Sequence, residues 1–271
     1  MTRRSKLVVV IAAIVIVGGV AAHTVLSPPR DTAPSAVNQS AREGEFDHGH
    51  RILDEILKRH VESGLVDYRS LASDRPALED YLNELAAVTE AEFDSWARDQ
   101  QLAMLINLYN AATLRLVLDH YPVGSIKDIG GLFKRPWSID SLSLFGKATT
   151  LGHVEHDLLR ENYNEPRIHF AIVCAALGCP ELRRGAFTAP LIDTQLNEQG
   201  EKFFRDKSKN RVDLAASTLH VSKVFKWFKD DFEPLGGVIG IARSYLPEEE
   251  ASSLRDDFKI RYTNYDWSLN E

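Results

Sequence analysis

Cysteine is scarce in this sequence, since its 271 residues include only two, Cys174 and Cys179. Two cysteines allow one disulfide or two free thiols and no larger framework. Their spacing is not the CxxC pattern of thioredoxin-like proteins, so the sequence does not predict a redox-active pair. Both cysteines lie in one segment, RIHFAIVCAALGCPELR, where we expect any chemistry to be concentrated.

Basic residues are also fewer than acidic ones. The chain has 32 Lys and Arg residues against 39 Asp and Glu residues, a formal net charge of −7. A protein that binds nucleic acid carries a basic stripe. Only short mixed patches occur here, such as the one with Lys223, Lys226 and Lys229. The sequence therefore predicts that nucleic acid is not a partner.

Long uncharged apolar runs are lacking except for one near the N-terminus. Arg3, Arg4 and Lys6 precede an apolar run from Leu7 to Ala22, which is the pattern of an export signal. Because this run is longer than a usual signal-peptide core, we expect residues 1–26 to remain as a signal anchor, with cleavage after Ala22 as the alternative. The expected location is the cell inner membrane, single-pass, with the rest of the chain periplasmic.

The composition changes twice after the apolar run. Residues 27–45 are rich in Pro, Ser and Ala and have almost no large apolar side chains, so they are predicted to form a disordered tether. Residues 46–271 lie within the size range of one domain with its own hydrophobic core. We therefore expect a single globular domain over 46–271.

Apolar periodicity predicts mainly helices before Pro122 and short strands after it. The predicted helices are Phe46 to His60, Arg75 to Ala87 and Glu92 to His120, and the predicted strands are Lys134 to Ile139, Ser143 to Thr149 and Ile168 to Cys174. The C-terminal third is predicted to alternate a helix, Ala189 to Phe204, a strand pair within Arg211 to Val221, an amphipathic segment, Val224 to Phe232, a helix, Ile239 to Tyr245, and a last strand, Phe258 to Tyr262. This order predicts an α+β domain in which N-terminal helices pack on a mainly antiparallel sheet.

Five segments occur in the order and spacing of a known family. They are INLYNAATL, LGHVEHDLLR, PRIHFAIVCAALGCPELR, VSKVFKWFKDDF and YDWSLN. Together they resemble the family called domain of unknown function 547, from roughly Val66 to the C-terminus. The resemblance implies a fold similar to papain-like and transglutaminase-like cysteine hydrolases. The family pattern falls on Asn107, Tyr109, Asn110, Glu155, His156, Arg160, His169, Phe170, Cys174, Asp231, Asp266 and Trp267.

Cys174 is the candidate nucleophile, because a cysteine thiolate attacks well at neutral pH. His156 is the candidate general base, and His169 is the alternative base. Glu155 or Asn107 would orient the base. We expect Cys174 and His156 to face one cleft, where the domain would hydrolyse an amide or peptide bond or transfer the acyl group.

Other interpretations of the same residues stay open. Cys174 and Cys179 would form a structural disulfide in an oxidising compartment, and the domain would then be a catalytically silent binding or scaffold module. Asn107 would then only support a neighbouring turn. The expected ligand is a peptide or small molecule of unknown identity, and the expected membrane contact is that of the N-terminal segment with the cytoplasmic membrane.

Two further patterns concern metal binding and the C-terminal segment. His153, His156, His169 and Glu155 are residue types that bind zinc, but no HExxH pattern accompanies them, and we predict neither a metal nor a cofactor. Near the C-terminus, Asp266 is expected to pair with Arg160 or another cation, and Trp267 is expected to tuck into the core.

Overall fold

A long buried helix lies at the centre of the fold. The computed structural model describes residues 46–131 and 134–271. This helix, α5, covers Arg98–Leu118, and 16 of its 21 residues are buried. In the described part of the chain it alone has the length and composition to cross a membrane, but 89% of its apolar window is buried inside the protein. A helix that is apolar on all sides and enclosed in this way is a core helix.

The other helices are shorter. They are α1 Arg51–His60, α2 Tyr68–Leu71, α3 Arg75–Ala87, α4 Glu90–Ser95, α6 Glu161–Tyr163, α7 Ile192–Arg205, α8 Val224–Trp227, α9 Lys229–Phe232, α10 Gly237–Tyr245 and α11 Glu248–Ser253. The helix predicted from Arg75 to Ala87 is confirmed. The helix predicted from Glu92 to His120 is instead broken between α4 and α5, where Trp96 and Ala97 are extended. Trp96 turns there to stack on Phe46, with ring centroids 4.8 Å apart.

The strands form three small sheets. Strand β1 (Val61–Glu62) pairs with β2 (Leu65–Val66), and β3 (Asp140–Leu144) pairs with β4 (Lys147–Thr150), both antiparallel. In the third sheet β6 (Thr218–Val221) lies between an antiparallel β5 (Arg211–Asp213) and a parallel β7 (Lys259–Tyr262). The α+β class is confirmed. In place of one mainly antiparallel sheet, the described residues hold three separate sheets.

Two of the predicted strands take a different form. A 3-10 turn at Pro136–Ser138 replaces the strand predicted from Lys134 to Ile139, because Pro136 has no N–H to donate to a strand partner. The strand predicted from Ser143 to Thr149 is the β3–β4 hairpin. It folds back because Phe145 and Gly146 adopt positive φ angles of 53° and 72°, as a tight hairpin turn requires.

The strand predicted from Ile168 to Cys174 is wrong. Pro166–Phe170 form a 3-10 helix, and the chain is irregular from there to Cys174. The backbone hydrogen bonds that a neighbouring strand would supply come from the Asn110 side chain, which donates to Ala171 O at 2.9 Å and accepts from Val173 N at 2.9 Å. A buried apolar segment can therefore satisfy its backbone without a sheet.

Apolar side chains form two clusters. The larger one surrounds α5 and includes residues of α1, α3 and the cysteine segment. The smaller one gathers around Phe170 and is built mainly from α7, β6, α8, α9 and α10. Tyr265, in the C-terminal segment, packs against both clusters. The site described below lies next to this tyrosine.

The signal anchor predicted for residues 1–26 and the tether predicted for 27–45 lie outside the described residues. The single domain over 46–271 and the papain-like architecture also stay predictions.

Candidate functional site

A cleft of about 700 Å³ opens beside the cysteine segment. Its volume lies within the range of about 300–1,000 Å³ that is usual for ligand sites. The chemically active side chains that line it are Tyr109, Glu155, His156, Arg160, His169, Cys174, Cys179 and Tyr265. Four of the five side chains predicted from the sequence therefore meet on one surface. The fifth, Asn107, is not among the described residues that line the cleft.

The two cysteines lie in direct contact. Both are free thiols, and their Sγ atoms are 2.7 Å apart. The backbone N–H of Cys174 donates to the sulfur of Cys179 at 3.1 Å, and the Tyr265 hydroxyl lies 3.0 Å from Cys179 Sγ and 3.3 Å from Cys174 Sγ. Cys179 is buried, while Cys174 is partly exposed. Cys174 is thus the sulfur that a ligand reaches more readily.

These contacts shift the pKa values of the two thiols in opposite directions. Burial opposes ionisation of Cys179, but hydrogen bonds from the Cys174 thiol, the Tyr265 hydroxyl and backbone amides outweigh it and lower the pKa of Cys179 to about 7. The hydrogen bond between the Cys174 thiol and Cys179, together with burial, raises the pKa of Cys174. Cys179 therefore loses its proton before Cys174 does, as the pH rises through about 7.

The C-terminal segment holds the loop between the cysteines in place. Ala176 forms a β-bridge with Leu269, and Gly178 N–H donates to Asp266 O at 2.8 Å. A Cβ atom on Gly178 would lie 2.8 Å from that same oxygen, so only glycine allows this approach. Ala175, directly after Cys174, has a φ of 57°, a left-handed conformation that costs about 1 kcal/mol or more outside glycine.

His169 is buried and carries a carboxylate partner. Its Nε2 lies 2.6 Å from Oδ2 of Asp231, and its ring stacks on Phe228 with centroids 3.9 Å apart. Burial lowers the pKa of His169, although Asp231 partly offsets this. The ring is therefore neutral near pH 7, the protonation state that a general base needs.

Asp231 also binds Arg160 through both of its oxygens, at 2.6 and 2.7 Å. Partial burial raises the pKa of Asp231, but the hydrogen bonds from Arg160 and His169 outweigh it and lower the pKa below its ordinary range. Asp231 was not among the predicted site residues. Its sequence signal was the family pattern, which falls on Asp231 and not on the neighbouring Asp230, but no role was predicted for it. The predicted ion pair between Arg160 and Asp266 is replaced by this one with Asp231.

Glu155 and His156 lie on a π-helical stretch, His153–Arg160, a rare geometry that is frequent at functional sites. Glu155 is buried and accepts a hydrogen bond from the Tyr109 hydroxyl at 3.0 Å, and that hydroxyl accepts one from Trp137 Nε1 at 3.2 Å. His156 is exposed, and its Nδ1 faces the Arg160 guanidinium at 3.2 Å. This nitrogen is therefore already engaged by a side chain of the same helical stretch.

Asn107 acts on the backbone. Its side chain donates to Phe187 O at 2.8 Å and accepts from Phe187 N at 2.9 Å. Asn110, one helical turn later, binds Ala171 and Val173 in the same two-sided way. The two asparagines thus fix separate loops on α5, and only the loop bound by Asn110 leads to Cys174.

The described carboxylate, imidazole and thiol groups of the cleft are not arranged as a metal-binding site. Within residues 46–131 and 134–271, no group of three or more His, Cys, Asp and Glu side chains is placed to hold a metal ion. His153 instead contacts Asp157, with its Nδ1 2.7 Å from Oδ2.

Aromatic rings form one wall of the cleft. Trp227, Tyr265 and Trp267 lie in mutual contact, with centroids 4.6 to 5.8 Å apart, and Trp137 meets Trp267 edge to face at 5.9 Å. Trp267 is only partly buried, so it lines the cleft as well as packing against the larger cluster. Asp266, beside it, accepts a hydrogen bond from Ser268 N at 2.9 Å.

Comparison with known proteins gives one match. No curated protein and no solved structure matches the chain. A family model does match residues 93–204, which span α5, the π-helical stretch, the cysteine segment and most of α7. This match confirms the resemblance predicted from the motifs, and the chain thus resembles the family described as protein of unknown function, DUF547.

Proposed function

We propose that this domain is a cysteine-dependent enzyme that hydrolyses an amide or peptide bond, or transfers its acyl group, in the cleft beside Cys174. One observation carries the proposal. A partly exposed thiol and a buried imidazole with a carboxylate partner line the same cleft, and the Nε2 of that imidazole, His169, lies 2.6 Å from Asp231. Thiol, imidazole and carboxylate are the groups that nucleophilic cysteine catalysis requires.

In this proposal His169 is the base and Asp231 its positioning partner. With the Nε2 proton directed to Asp231, Nδ1 is the unprotonated nitrogen of the neutral ring. His156 is the weaker candidate, because its Nδ1 already faces the Arg160 guanidinium. The sequence predicts Glu155 as a group that orients the base; in this proposal it instead orients the substrate, since its carboxylate lines the cleft.

The reaction has two steps. The sulfur of Cys174 gives its proton to the imidazole and bonds to the carbonyl carbon, and the carbon–nitrogen bond then breaks as the imidazolium returns the proton to the leaving amine. A thioester remains. Water then adds to the thioester carbon, losing a proton to the imidazole, and the thiol leaves with that proton. In acyl transfer a second amine or alcohol replaces the water.

The proposed setting is outside the cytoplasm, on the inner membrane. It is supported by the three cations that precede the apolar run at residues 7–22. Recovery of the chain in the membrane fraction, with its original N-terminus, is the expected result. A wholly soluble protein that begins at His23 would contradict the tether.

A second candidate function has its own supporting observation. The two sulfurs are 2.7 Å apart, so a small movement would let an oxidant join them. A permanent disulfide would remove the nucleophile and leave a binding module. The two candidates therefore differ in the redox state of the pair in its native compartment.

The test uses the full chain, purified in detergent with and without a thiol reductant. Alkylation before reduction, followed by mass spectrometry, counts the free thiols. The reduced protein is then incubated with a library of peptide amides that carry a fluorogenic leaving amine. We expect free thiols in the untreated protein and hydrolysis that falls at least about 100-fold in Cys174→Ser and in His169→Gln. His153→Gln is the matched control, because His153 is exposed and lies outside the cleft lining.

Two results would overturn the enzyme proposal. One is a complete disulfide in freshly isolated protein, and the other is hydrolysis that survives in Cys174→Ser. A loss in His156→Gln that equals the loss in Cys174→Ser, with His169→Gln still active, would instead move the base to His156.

A further inference from the structure

The rim of the cleft carries cations without acidic partners. Lys127, Lys134 and Arg135 all line it, and all three are exposed. Most of the described lysines and arginines form ion pairs with carboxylates, as Arg160 does with Asp231. None of these three forms a salt bridge with a carboxylate in the described part of the chain. Their charges are therefore available to a ligand.

Among the described residues that line the cleft, one carboxylate is present to balance these cations. That carboxylate is Glu155, which is buried and already accepts the Tyr109 hydroxyl. The Arg160 charge is neutralised by Asp231. The lining thus has a surplus of positive charge on a chain whose formal net charge is −7. Cations clustered at the mouth of a cleft favour an anionic ligand.

The aromatic wall adds a second requirement. The Trp227 side chain is 45% exposed although it is large and apolar, and it contacts Tyr265 and Trp267. The ammonium group of Lys127 lies 4.7 Å from the centre of the Trp267 ring. An exposed aromatic wall next to cations fits a ligand that carries an apolar ring close to its negative charge.

We propose that the ligand of this cleft is an anionic carboxamide with an apolar ring, whose ring packs on the tryptophan wall and whose carboxylate binds at Lys134 and Arg135. This inference rests on the proposed function, since it names the substrate class for the same site. It makes a separate claim, however, because binding of such a ligand does not require the thiol.

The tryptophans provide a direct readout. Three of the four tryptophans of the chain line the cleft, Trp137, Trp227 and Trp267, so their emission reports on its occupancy. The probes are N-acetyl-phenylalanine and its C-terminal amide, which share the ring and the acetamide and differ by the carboxylate charge. N-acetyl-alanine, which keeps the charge, tests the ring. Titrations use the full-length protein under reducing conditions at low and high salt.

We expect the carboxylate probe to bind about three- to tenfold more tightly than the amide probe at low salt, the size expected from two exposed cations. Added salt and the double variant Lys134→Gln/Arg135→Gln should remove this preference. Lys202→Gln, an exposed lysine on α7 outside the cleft, is the matched control and should keep it. N-acetyl-alanine should bind several-fold more weakly than N-acetyl-phenylalanine.

The inference is wrong if both phenylalanine probes bind equally, if neither binds, or if the charge preference survives in the double variant. The same titrations with Cys174→Ser separate it from the proposed function. If the wild type hydrolyses no amide but the wild type and Cys174→Ser both bind the charged probe more tightly, the proposed ligand class is supported and the proposed enzyme activity is contradicted.

Discussion

The Nε2 of His169 lies 2.6 Å from Oδ2 of Asp231, and both oxygens of this carboxylate bind Arg160. The three residues come from the 3-10 helix Pro166–Phe170, from α9 and from the π-helical stretch His153–Arg160. One carboxylate therefore joins three elements at the edge of the cleft. It fixes the imidazole and also holds the stretch that carries Glu155 and His156.

Replacement of the Asp231 carboxylate should lower both the free energy of unfolding and the proposed activity. We expect Asp231→Asn to lower the free energy of unfolding at pH 7 by about 2 kcal/mol, because charge-assisted hydrogen bonds to Arg160 and His169 are weakened. Because the fold lowers the pKa of Asp231, its contribution is complete above the ordinary value of 3.8 and is lost as the pH falls below that value. Urea unfolding at pH 7 and near pH 3 measures the difference.

Asp230→Asn is the matched control, because Asp230 is the exposed neighbour in the same helix. It should change the unfolding free energy by less than about 0.5 kcal/mol. Equal effects of the two variants would show that the pairing of Asp231 with His169 and Arg160 does not stabilise the fold.

Much of the secondary structure was readable from the sequence. The helix from Arg75 to Ala87 was predicted with the correct bounds, and the strand pair within Arg211 to Val221 and the helix ending at Tyr245 also form. Clear apolar periodicity explains these successes. The order of elements and the family resemblance predicted that Cys174 and His156 face one cleft, and both line it.

The features that the sequence did not reveal depend on contacts between residues far apart in the chain. The segment from Ile168 to Cys174 has the composition of a buried strand, but Asn110 in α5, about 60 positions earlier, supplies its backbone hydrogen bonds. Local sequence does not contain this information. The family pattern falls on Asp231, but its partners His169 and Arg160 lie about 60 to 70 positions earlier, so local sequence does not reveal its role.

Tyr265 should control the ionisation of the cysteine pair. Its hydroxyl lies 3.0 Å from Cys179 Sγ and is one of the donors that lower the pKa of Cys179 to about 7. The alkylation rate of the reduced protein by iodoacetamide should therefore rise with pH through about 7. Tyr265→Phe removes this donor and should move the midpoint upward by about one pH unit, the equivalent of one hydrogen bond.

Tyr262→Phe is the control for this shift, because Tyr262 lies on β7 and does not line the cleft. Mass spectrometry of the alkylated protein assigns the label to Cys174 or Cys179. We expect the label that follows this midpoint to be on Cys179, because its pKa is about 7. Cys174 is more exposed, but its pKa is raised, so it should react more slowly near neutral pH. An unchanged midpoint in Tyr265→Phe would contradict the proposed stabilisation of the thiolate.

Stability should fall in mild acid because of a buried histidine. His50 is buried, and its Nδ1 lies 2.9 Å from the Tyr81 hydroxyl. Burial, with a smaller contribution from His48, lowers the pKa of His50 from 6.5 to about 4, partly offset by Asp47. Between these values the unfolded chain binds a proton that the folded chain does not, so stability increases with pH there and decreases on acidification.

The expected loss between pH 7 and pH 4 is at most about 3 kcal/mol from this one group. His50→Asn should flatten the pH dependence of the unfolding free energy, and asparagine tolerates the positive φ of 49° at this position. His120→Asn, an exposed histidine at the end of α5, should leave the slope unchanged. Parallel slopes for wild type and His50→Asn would contradict the assignment.

Alanine variants of Asn107 and Asn110 should distinguish an effect on stability from an effect on the cysteine site. Each binds a neighbouring backbone through one donated and one accepted hydrogen bond. Alanine at either position leaves two buried backbone groups without partners, so both variants should lose about 2–4 kcal/mol of unfolding free energy. Only Asn110 holds the segment that ends at Cys174. We therefore expect Asn110→Ala to change the iodoacetamide labelling rate of the folded protein, and Asn107→Ala to leave it unchanged.

The comparison also tests the predicted catalytic role of Asn107. If Asn107 orients a catalytic group, its alanine variant should lower the turnover number at temperatures where the protein stays folded. If it only fixes the loop at Phe187, turnover per folded molecule should match the wild type while the unfolding temperature falls. Asn107→Asp keeps the accepting oxygen for Phe187 N but buries a carboxylate against Phe187 O, so it should be at least as destabilising as alanine. Asn107 does not line the cleft, so we expect the structural outcome.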